Sequence, residues 1–585
     1  MTLASATRAR IQARLELLYP DESSDELLQR LEVIVGRHER DRPRKYPPRR
    51  WDETDTLLIT YGDSLLDDDM SPAQALEAFC DAYLRDSISI VHLLPFFPYS
   101  SDDGFSVINY RSVNPAIGTW EHISRIGSDF DLMFDFVLNH VSRESLWFAD
   151  FMENMPPGNR YFIEGDPDDP RLKQVTRPRA EPLMVRIRTR HDVRHVWATF
   201  SKDQIDLNYA NPDVLLQALD ILLYYIRQGA RVIRLDAVAF LWKQLGTCCI
   251  HLPQTHEIIK LMRDLLDDLE PRVILLTETN VPHKENVSYF GNGDEAHMVY
   301  QFSLPPLMLQ AIYSGSTLYL HGWLKNLQPA PAGCTFLNFT ASHDGVGLRA
   351  LEGIVPEEEL GDLLEAMRHR GGFISHRTQP DGTQTPYELN ISYFDALRDP
   401  DVHHDRCHIS RFLLSQTVAM SLQGVPAVYI HSLLATPNYH EGVENTGRTR
   451  TINRRRWHLG ELMPVLEDQD SAAHTVFTVL RQRLALRRSI AAFHPDAIQT
   501  VFDLEDGLLG LRRVSLDGLQ TVTALYNFTQ VAREVSLREI GLAGMTPVDL
   551  NDLISAEAPR YKPDAADQLV LPAYGAYWLC AAENQ

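Results

Sequence analysis

The sequence predicts an α/β protein built on a (β/α)8 TIM barrel, with inserted loops, an N-terminal helical extension and a C-terminal antiparallel β domain. Three observations support this prediction. Eight strand-like runs follow one another between residues 56 and 430, amphipathic helical patterns separate several of them, and four runs end in polar residues. Alternation of strands and helices is typical of a parallel sheet, and active sites of such barrels lie at the carboxyl ends of the strands.

The strand-like runs are short and rich in β-branched and aromatic residues, as buried strands are. They cover residues 56–61, 88–94, 130–137, 231–235, 272–277, 297–302, 335–339 and 426–430. Clear helical patterns at 214–228 and 256–269 precede the fourth and fifth runs, respectively. We therefore expect the barrel to occupy residues 51–500.

The segments outside the barrel pattern differ from it in their sequence patterns. Residues 1–50 carry two amphipathic helical patterns and a basic stretch at 37–50, for which a solvated linker is the simpler interpretation in an acidic chain. Two long insertions are expected, at about 142–210 and 350–410. Residues 501–585 show short alternating runs with Gly and Asp turns, which predict a small antiparallel β domain.

Composition excludes several functional classes. The 585 residues carry a formal net charge of −23, which argues against nucleic acid or an anionic membrane as the main partner. No apolar run approaches the roughly 18 residues of a membrane span, and the N-terminus lacks a signal-peptide core. Six scattered cysteines do not form a disulfide framework or a zinc site. We expect a cytoplasmic protein.

The fourth run, RVIRLD at 231–236, ends in a charged pair. Arg234 and Asp236 are two residues apart and therefore share one side of the strand. Taken alone, this pattern favours a salt bridge that closes a strand end, because a buried carboxylate needs a partner.

Carboxylates also follow other runs, and together they suggest glycoside chemistry. Glu278 follows the fifth run and Asp344 follows the seventh, next to His343, while the third run leads to His140. A retaining mechanism needs two carboxyl groups about 5 Å apart, one as nucleophile and one as proton donor. Neighbouring barrel strands can supply that separation.

In order and spacing, five motifs resemble those of the α-amylase family (glycoside hydrolase family 13). They are DFVLNH at 135–140, QIDLN at 204–208, RVIRLD at 231–236, LTE at 276–278 and FTASHD at 339–344. The resemblance covers roughly residues 51–585. It implies that Asp236 is the nucleophile, Glu278 the general acid/base and Asp344 the transition-state stabiliser. Arg234, His140 and His343 would contact the nucleophile or the glucosyl hydroxyls.

Further motifs resemble the sucrose phosphorylase subfamily. They are SDDGF at 101–105, TRPR at 176–179, Phe200 with Gln204, Tyr387, and TINR at 451–454. The resemblance implies that Asp102 and Arg454 hold the far side of the glucose ring, and that Arg179 and Tyr387 receive phosphate. Taken without it, Arg177 and Arg179 are a surface charge pair on an inserted loop.

Four features resemble the glucosylglycerate phosphorylases of that subfamily. They are the N-terminal extension, DGTQTPYELN at 381–390, WKQLGTCCIH at 242–251 and TNVPHK at 279–284. An acceptor with a carboxylate would need cations. Arg179, Lys243, His283 and Arg377 are candidates among which the sequence does not choose.

The expected function is phosphorolysis of 2-O-α-glucosylglycerate to α-glucose 1-phosphate and D-glycerate through a β-glucosyl–Asp236 intermediate. Sucrose, sucrose 6′-phosphate and glucosylglycerol are alternative substrates, a glucosidase or transglucosylase is a second alternative, and a catalytically inactive binding subunit is a third. Inorganic phosphate is the co-substrate and no cofactor is expected. Asn139 matches a calcium ligand of many amylases, but no metal is expected in this branch. Oligomeric state is left open.

Overall fold

The computed structural model describes residues 3–38, 49–179, 181–378, 383–546, 549–562 and 565–581. Most of the basic stretch for which a linker is expected (39–48) lies outside these residues, as do Asp381 and Gly382 of the second insertion. Among the described residues, no helix combines the length and the apolar character that crossing a membrane would require.

Eight parallel strands close into a barrel, which confirms the expected fold. In chain order they are Leu57–Thr60, Ile90–Leu93, Asp131–Val137, Ala230–Asp236, Ile274–Thr277, Met298–Tyr300, Thr335–Asn338 and Val425–Tyr429. Each strand pairs with the next, and the eighth pairs with the first. Each of the eight sequence runs contains or overlaps one of these strands, because nearly all the strand residues are buried and most of them are apolar.

Helices surround the barrel and connect its strands. The longer ones are Pro72–Tyr83, Trp120–Asp129, Pro212–Arg227, Pro253–Leu269, Leu304–Ser314, His408–Ser421 and Ala472–Arg487. The helix before the fourth strand begins with a proline and an Asn211 side-chain cap, both of which favour a helix start. It ends before Gly229, whose φ of 107° is costly for other residues.

Two insertions and two flanking segments complete the chain. The first insertion pairs His140–Ser142 with Gln204–Asp206 and Met184–Arg188 with Val193–Trp197. The second contains the helix Glu357–His369 and the paired strands Phe373–Thr378 and Gln384–Asn390. The N-terminal helices Ser5–Leu18 and Ser24–Arg37 pack on the barrel helices that precede and follow the fourth strand. From Ile498 onward the chain forms antiparallel sheets.

Candidate active site

The fourth and fifth barrel strands place two carboxylates side by side. Their register pairs Leu235 with Thr277, so the next residues, Asp236 and Glu278, leave the sheet at the same level. The Glu278 backbone N–H donates to the carbonyl of Leu235 at 3.2 Å. The proximity of the two side chains therefore follows from regular strand pairing.

Arg234 holds the Asp236 carboxylate from below. Its Nη1 donates to Asp236 Oδ1 at 2.8 Å and also to Asp135, which accepts a second bond from His92 at 2.6 Å. The Arg234 Nη2 lies 4.0 Å from Glu278 Oε2. Arg234 and Asp135 are both buried, so this chain of charges fixes the carboxylate of Asp236 at the floor of the site.

The backbone after Asp236 turns sharply toward Glu278. Ala237 has a φ of 50°, in the left-handed region, where a residue with a Cβ is about 1–2 kcal/mol less stable. In this conformation its N–H donates to Glu278 Oε2 at 3.2 Å. The strained turn thus orients the second carboxyl group.

The pKa values of the two carboxyl groups are both raised. Burial, followed by the charge of Glu278, raises the pKa of Asp236, and Arg234 opposes this shift. Burial, followed by Asp344, raises the pKa of Glu278. Carboxyl groups with such environments are characteristic of acid/base sites.

Asp344 faces the opposite electrostatic environment. Arg450 Nη1 lies 2.7 Å from its Oδ1, His343 Nε2 lies 3.5 Å from its Oδ2, and Arg454 Nη2 lies 3.6 Å from Oδ1. Burial favours the neutral acid, but the neighbouring groups, Arg450 above all, outweigh it and lower the pKa of Asp344. Asp344 is therefore ionised throughout the ordinary pH range.

The three carboxylates open onto one cavity, together with most of the residues that the sequence predicts for the site. Those on its wall are Asp102, His140, Arg179, Phe200, Gln204, Asp236, Glu278, His343, Asp344 and Tyr387. Burial raises the pKa of Tyr387 to about 12, so its hydroxyl is a hydrogen-bond donor at neutral pH.

One side of the cavity is organised by Asp102. Its Oδ2 accepts from Gln204 Nε2 at 3.1 Å and from Arg179 Nη2 at 3.2 Å. The Arg179 guanidinium also lies over the Phe200 ring, 5.9 Å from its centroid. Despite burial, the pKa of Asp102 is lowered, mainly by Arg179. Arg179, which the sequence suggests for phosphate, is thus engaged with Asp102 in this structure.

Two predicted residues lie outside the cavity wall. Arg234 is beneath it, and Arg454 donates to the carbonyl of His343 at 2.7 Å and pairs with Asp103. Arg454 lines a neighbouring cavity with Tyr61. Its direct partners are therefore Asp103 and Asp344.

The structure removes two of the four candidates for binding an acceptor carboxylate. Lys243 is buried and donates to Asn139 Oδ1 at 2.6 Å, with Asp206 Oδ2 at 2.7 Å. His283 packs against Trp323. Neither side chain is on the cavity wall, whereas Arg179 and Arg377 are. Lys243 instead balances Asp206, which is buried and requires a partner of opposite charge.

Lys243 also affects calcium binding at Asn139, the residue that matches a calcium ligand of many amylases. A cation on the Asn139 carboxamide oxygen would meet the ammonium group already bound there. Among the described residues, no group of three or more His, Cys, Asp or Glu side chains is arranged to hold a metal ion. The residues at Asn139 do not fit a calcium ion.

Sequence reasoning missed several polar residues of the site. Arg450 bridges Asp344 and Glu388, donating to the two Glu388 oxygens at 2.8 and 3.0 Å. Arg349 and Glu388 also line the cavity. Arg450 stands four residues before Arg454 and just outside the TINR motif, so its position was the one available signal.

Comparison with known proteins agrees with this geometry. A family model described as "Alpha amylase, catalytic domain" matches residues 82–326. A glucosylglycerate phosphorylase of Escherichia coli (strain K12) is 45% identical over 495 residues, covering 84% of this chain and 88% of that protein. The chain belongs to the α-amylase family.

Two further relatives indicate the subfamily to which the chain belongs. A glucosylglycerate phosphorylase of Allomeiothermus silvanus is 43% identical over 541 residues, covering 92% of this chain and 95% of that protein. The crystal structure of sucrose 6F-phosphate phosphorylase from Thermoanaerobacter thermosaccharolyticum superposes with a TM-score of 0.71 at 25% identity, covering 81% of this chain and 94% of that one. The chain is a glycoside phosphorylase of the sucrose phosphorylase subfamily, as its motifs predict.

Proposed function

We propose that the protein converts 2-O-α-glucosylglycerate and phosphate into α-glucose 1-phosphate and D-glycerate by double displacement. The observation that carries this proposal is the pair Asp236 and Glu278 on neighbouring strand ends, with Arg234 bound to the first. Relatives named glucosylglycerate phosphorylase at 43–46% identity support the choice of substrate.

In the first step, an Asp236 oxygen attacks the anomeric carbon while Glu278 protonates the departing glycerate oxygen. The Coulomb energy falls with distance, so Arg234, at 2.8 Å from Asp236 and 4.0 Å from Glu278, favours the ionised form of Asp236. We therefore assign the starting proton of the pair to Glu278, although burial also raises the pKa of Asp236. Each group thus begins in the state that its role requires.

In the second step, a phosphate oxygen attacks the anomeric carbon from the α face and the bond to Asp236 breaks. The attacking species is hydrogen phosphate, and the proton that it loses passes to Glu278, which restores the starting state. In both steps the sugar ring gains positive charge, and the permanently ionised Asp344 stabilises it. Hydroxyl contacts from Asp102 and His140 hold the ring in place.

The proposed reaction uses sugar and phosphate alone and requires no metal or cofactor. Lys243 supplies a built-in cation at Asn139, so we expect activity to be unaffected by a chelator such as EDTA. Loss of activity on chelation, with recovery on adding calcium, would contradict this part of the proposal. The cytoplasmic location stays a prediction.

An acceptor panel tests the substrate. The enzyme receives α-glucose 1-phosphate with D-glycerate, fructose, fructose 6-phosphate, glycerol or water, and released phosphate is measured. We expect the highest kcat/KM with D-glycerate. Faster release with fructose, fructose 6-phosphate or glycerol would transfer the proposal to the corresponding phosphorylase, and release equal to that with water throughout would favour a glucosidase.

A further inference from the structure

Five guanidinium groups line the catalytic cavity, and they differ in how their charge is balanced. Arg179 pairs with Asp102, and Arg450 pairs with Asp344 and Glu388. Arg377 and Arg349 share one carboxylate, Glu352, at 3.1 and 3.7 Å. The carboxylates are therefore distributed unevenly among the five: Arg450 has two carboxylate partners, whereas Arg377 and Arg349 share one.

Arg177 is the least compensated of the five. Its Nη2 atom is buried and has no hydrogen-bond partner among the described residues. Burial lowers the pKa of its guanidinium, and no carboxylate opposes the shift. A buried donor without a partner is costly, and more so when charged, so an anion in the cavity is the natural partner.

The position of Arg177 is held by its own segment. The Thr176 N–H donates to the carbonyl of Cys248 at 2.9 Å, and Val175 packs in a small apolar cluster with Trp197 and Cys249. Cys248 belongs to the loop that follows the fourth strand, and two residues of this loop, Ala237 and Phe240, line the cavity. The backbone that carries Arg177 is thus held at the cavity wall, which reduces the entropy that its ordering would cost on binding.

In both anions of the proposed reaction, glycerate and phosphate, the charge lies close to the reacting oxygen. Glycerate carries its carboxylate on the carbon that bears the reacting hydroxyl, and phosphate carries its charge on the same phosphorus as the attacking oxygen. Both reacting oxygens must take one position, at the anomeric carbon beside Glu278. The charged oxygens of both molecules therefore lie within two or three bonds of that position, and double displacement means that the two molecules bind in turn.

We propose that Arg177 forms a single anion site that the carboxylate of the acidic acceptor and inorganic phosphate occupy alternately. This inference rests on the proposed function and deepens it, because it assigns the recognition of both anions to one residue. Under this arrangement, an acidic acceptor and phosphate do not require different positions of the 176–179 segment. A guanidinium suits both, since it donates two parallel hydrogen bonds to a carboxylate or a phosphate.

The test uses α-glucosyl fluoride as the donor, since it forms the glucosyl enzyme by releasing fluoride and brings neither a carboxylate nor a phosphate to the cavity. Phosphate, D-glycerate and glycerol serve as acceptors for wild type, Arg177→Leu and Arg177→Lys. Glycerol is the neutral counterpart of glycerate. For each variant, the KM for phosphate and the KM for glycerate are therefore divided by the KM for glycerol, and these KM ratios are compared. Arg171→Leu is the matched control, because Arg171 lies in the same insertion, is exposed and pairs with Asp169.

We expect Arg177→Leu to raise the KM ratios for phosphate and for glycerate together, each roughly 10–100-fold, as loss of a charge-assisted hydrogen bond does. Arg177→Lys should lie between wild type and Leu. A rise for one anion alone, for neither, or an equal rise for glycerol would overturn the shared site. Wild-type enzyme that transfers no glucose to glycerate would instead overturn the proposed function, whatever the variants do.

Discussion

The fourth barrel strand carries a buried arginine near each of its ends, and the two are balanced differently. Arg231, near the amino end, donates to Asp55 at 2.8 Å, to Asp131 at 2.6 Å and to the carbonyl of Arg50. Arg234, near the carboxyl end, binds Asp135 and Asp236. Both are arginine–aspartate clusters on one strand, and the sequence motif alone does not separate their roles.

The difference lies in what each aspartate faces. None of the partners of Arg231 lines the catalytic cavity, whereas Asp236 opens onto that cavity beside Glu278. Catalysis in these barrels takes place at the carboxyl end of the strands, and the other end contributes stability. The same pairing therefore braces the barrel at one end and prepares a nucleophile at the other.

The largest effect is expected when the nucleophile itself changes. Asp236→Asn removes the charge that attacks the sugar, so kcat should fall by at least about 10⁴-fold. Asp131→Asn is the matched control, because Asp131 begins the third strand and pairs with Arg231 at the amino end of the barrel; it should keep a kcat near that of wild type. A steady-state phosphorolysis assay measures kcat for both variants. More than a few per cent of wild-type activity in Asp236→Asn would contradict its role as the nucleophile.

The acid on the neighbouring strand should show itself in the pH profile. Because burial raises the pKa of Glu278 and the first step needs its protonated form, kcat/KM for glucosylglycerate should fall as pH rises through that raised pKa. Glu278→Gln should lower this rate by roughly 10²–10⁴-fold and abolish the pH-dependent fall. Release of fluoride from α-glucosyl fluoride, which needs no acid, should be affected far less; an equal loss with both donors would contradict the role.

At the other end of the strand, Arg231→Met should change stability without changing chemistry. It leaves Asp55 buried without its partner, so the free energy of unfolding should fall by about 3–5 kcal/mol. Urea unfolding measures this loss, and kcat/KM measured well below the transition should match wild type. A clear loss of kcat/KM in the folded variant would mean that the two ends are not separate in function.

The smallest effect is expected in the N-terminal helices. Tyr19 donates a buried hydrogen bond to the carbonyl of Tyr209 at 2.9 Å, and its ring lies 6.3 Å from that of Trp242. Tyr19→Phe keeps the ring contact and should lower the free energy of unfolding by about 1 kcal/mol. Unchanged stability in urea would show that this bond does not contribute to the packing of the extension.

Much of the site was predictable because it depends on local pattern. Asp236, Glu278 and Asp344 each follow a short apolar run, and consecutive parallel strands end at the same edge of a barrel. Placement of Arg234 below Asp236 needed only the alternation of side chains along a strand. Each of these inferences relates residues that are only a few positions apart in the sequence.

Other features depend on segments far apart in sequence. Lys243 resembles an acceptor cation until its contact with Asp206 shows that it balances a buried charge. Arg179 and Arg177, two residues apart, differ because only Arg179 reaches Asp102, 77 residues earlier in the chain. No local pattern distinguishes an arginine that meets a carboxylate from one that does not.

The sequence by itself thus determined the barrel, the order of its strands and the three carboxylates, since the buried strands and the family motifs are continuous stretches of chain. Only the tertiary structure decided which cations are already paired and how Arg450 joins Asp344 to Glu388. It also decided that the buried Nη2 of Arg177 meets no hydrogen-bond partner in the part of the chain that the structure describes. The physical reason is that electrostatic balance is a property of groups close in space, and the long insertions bring those groups together from distant parts of the chain.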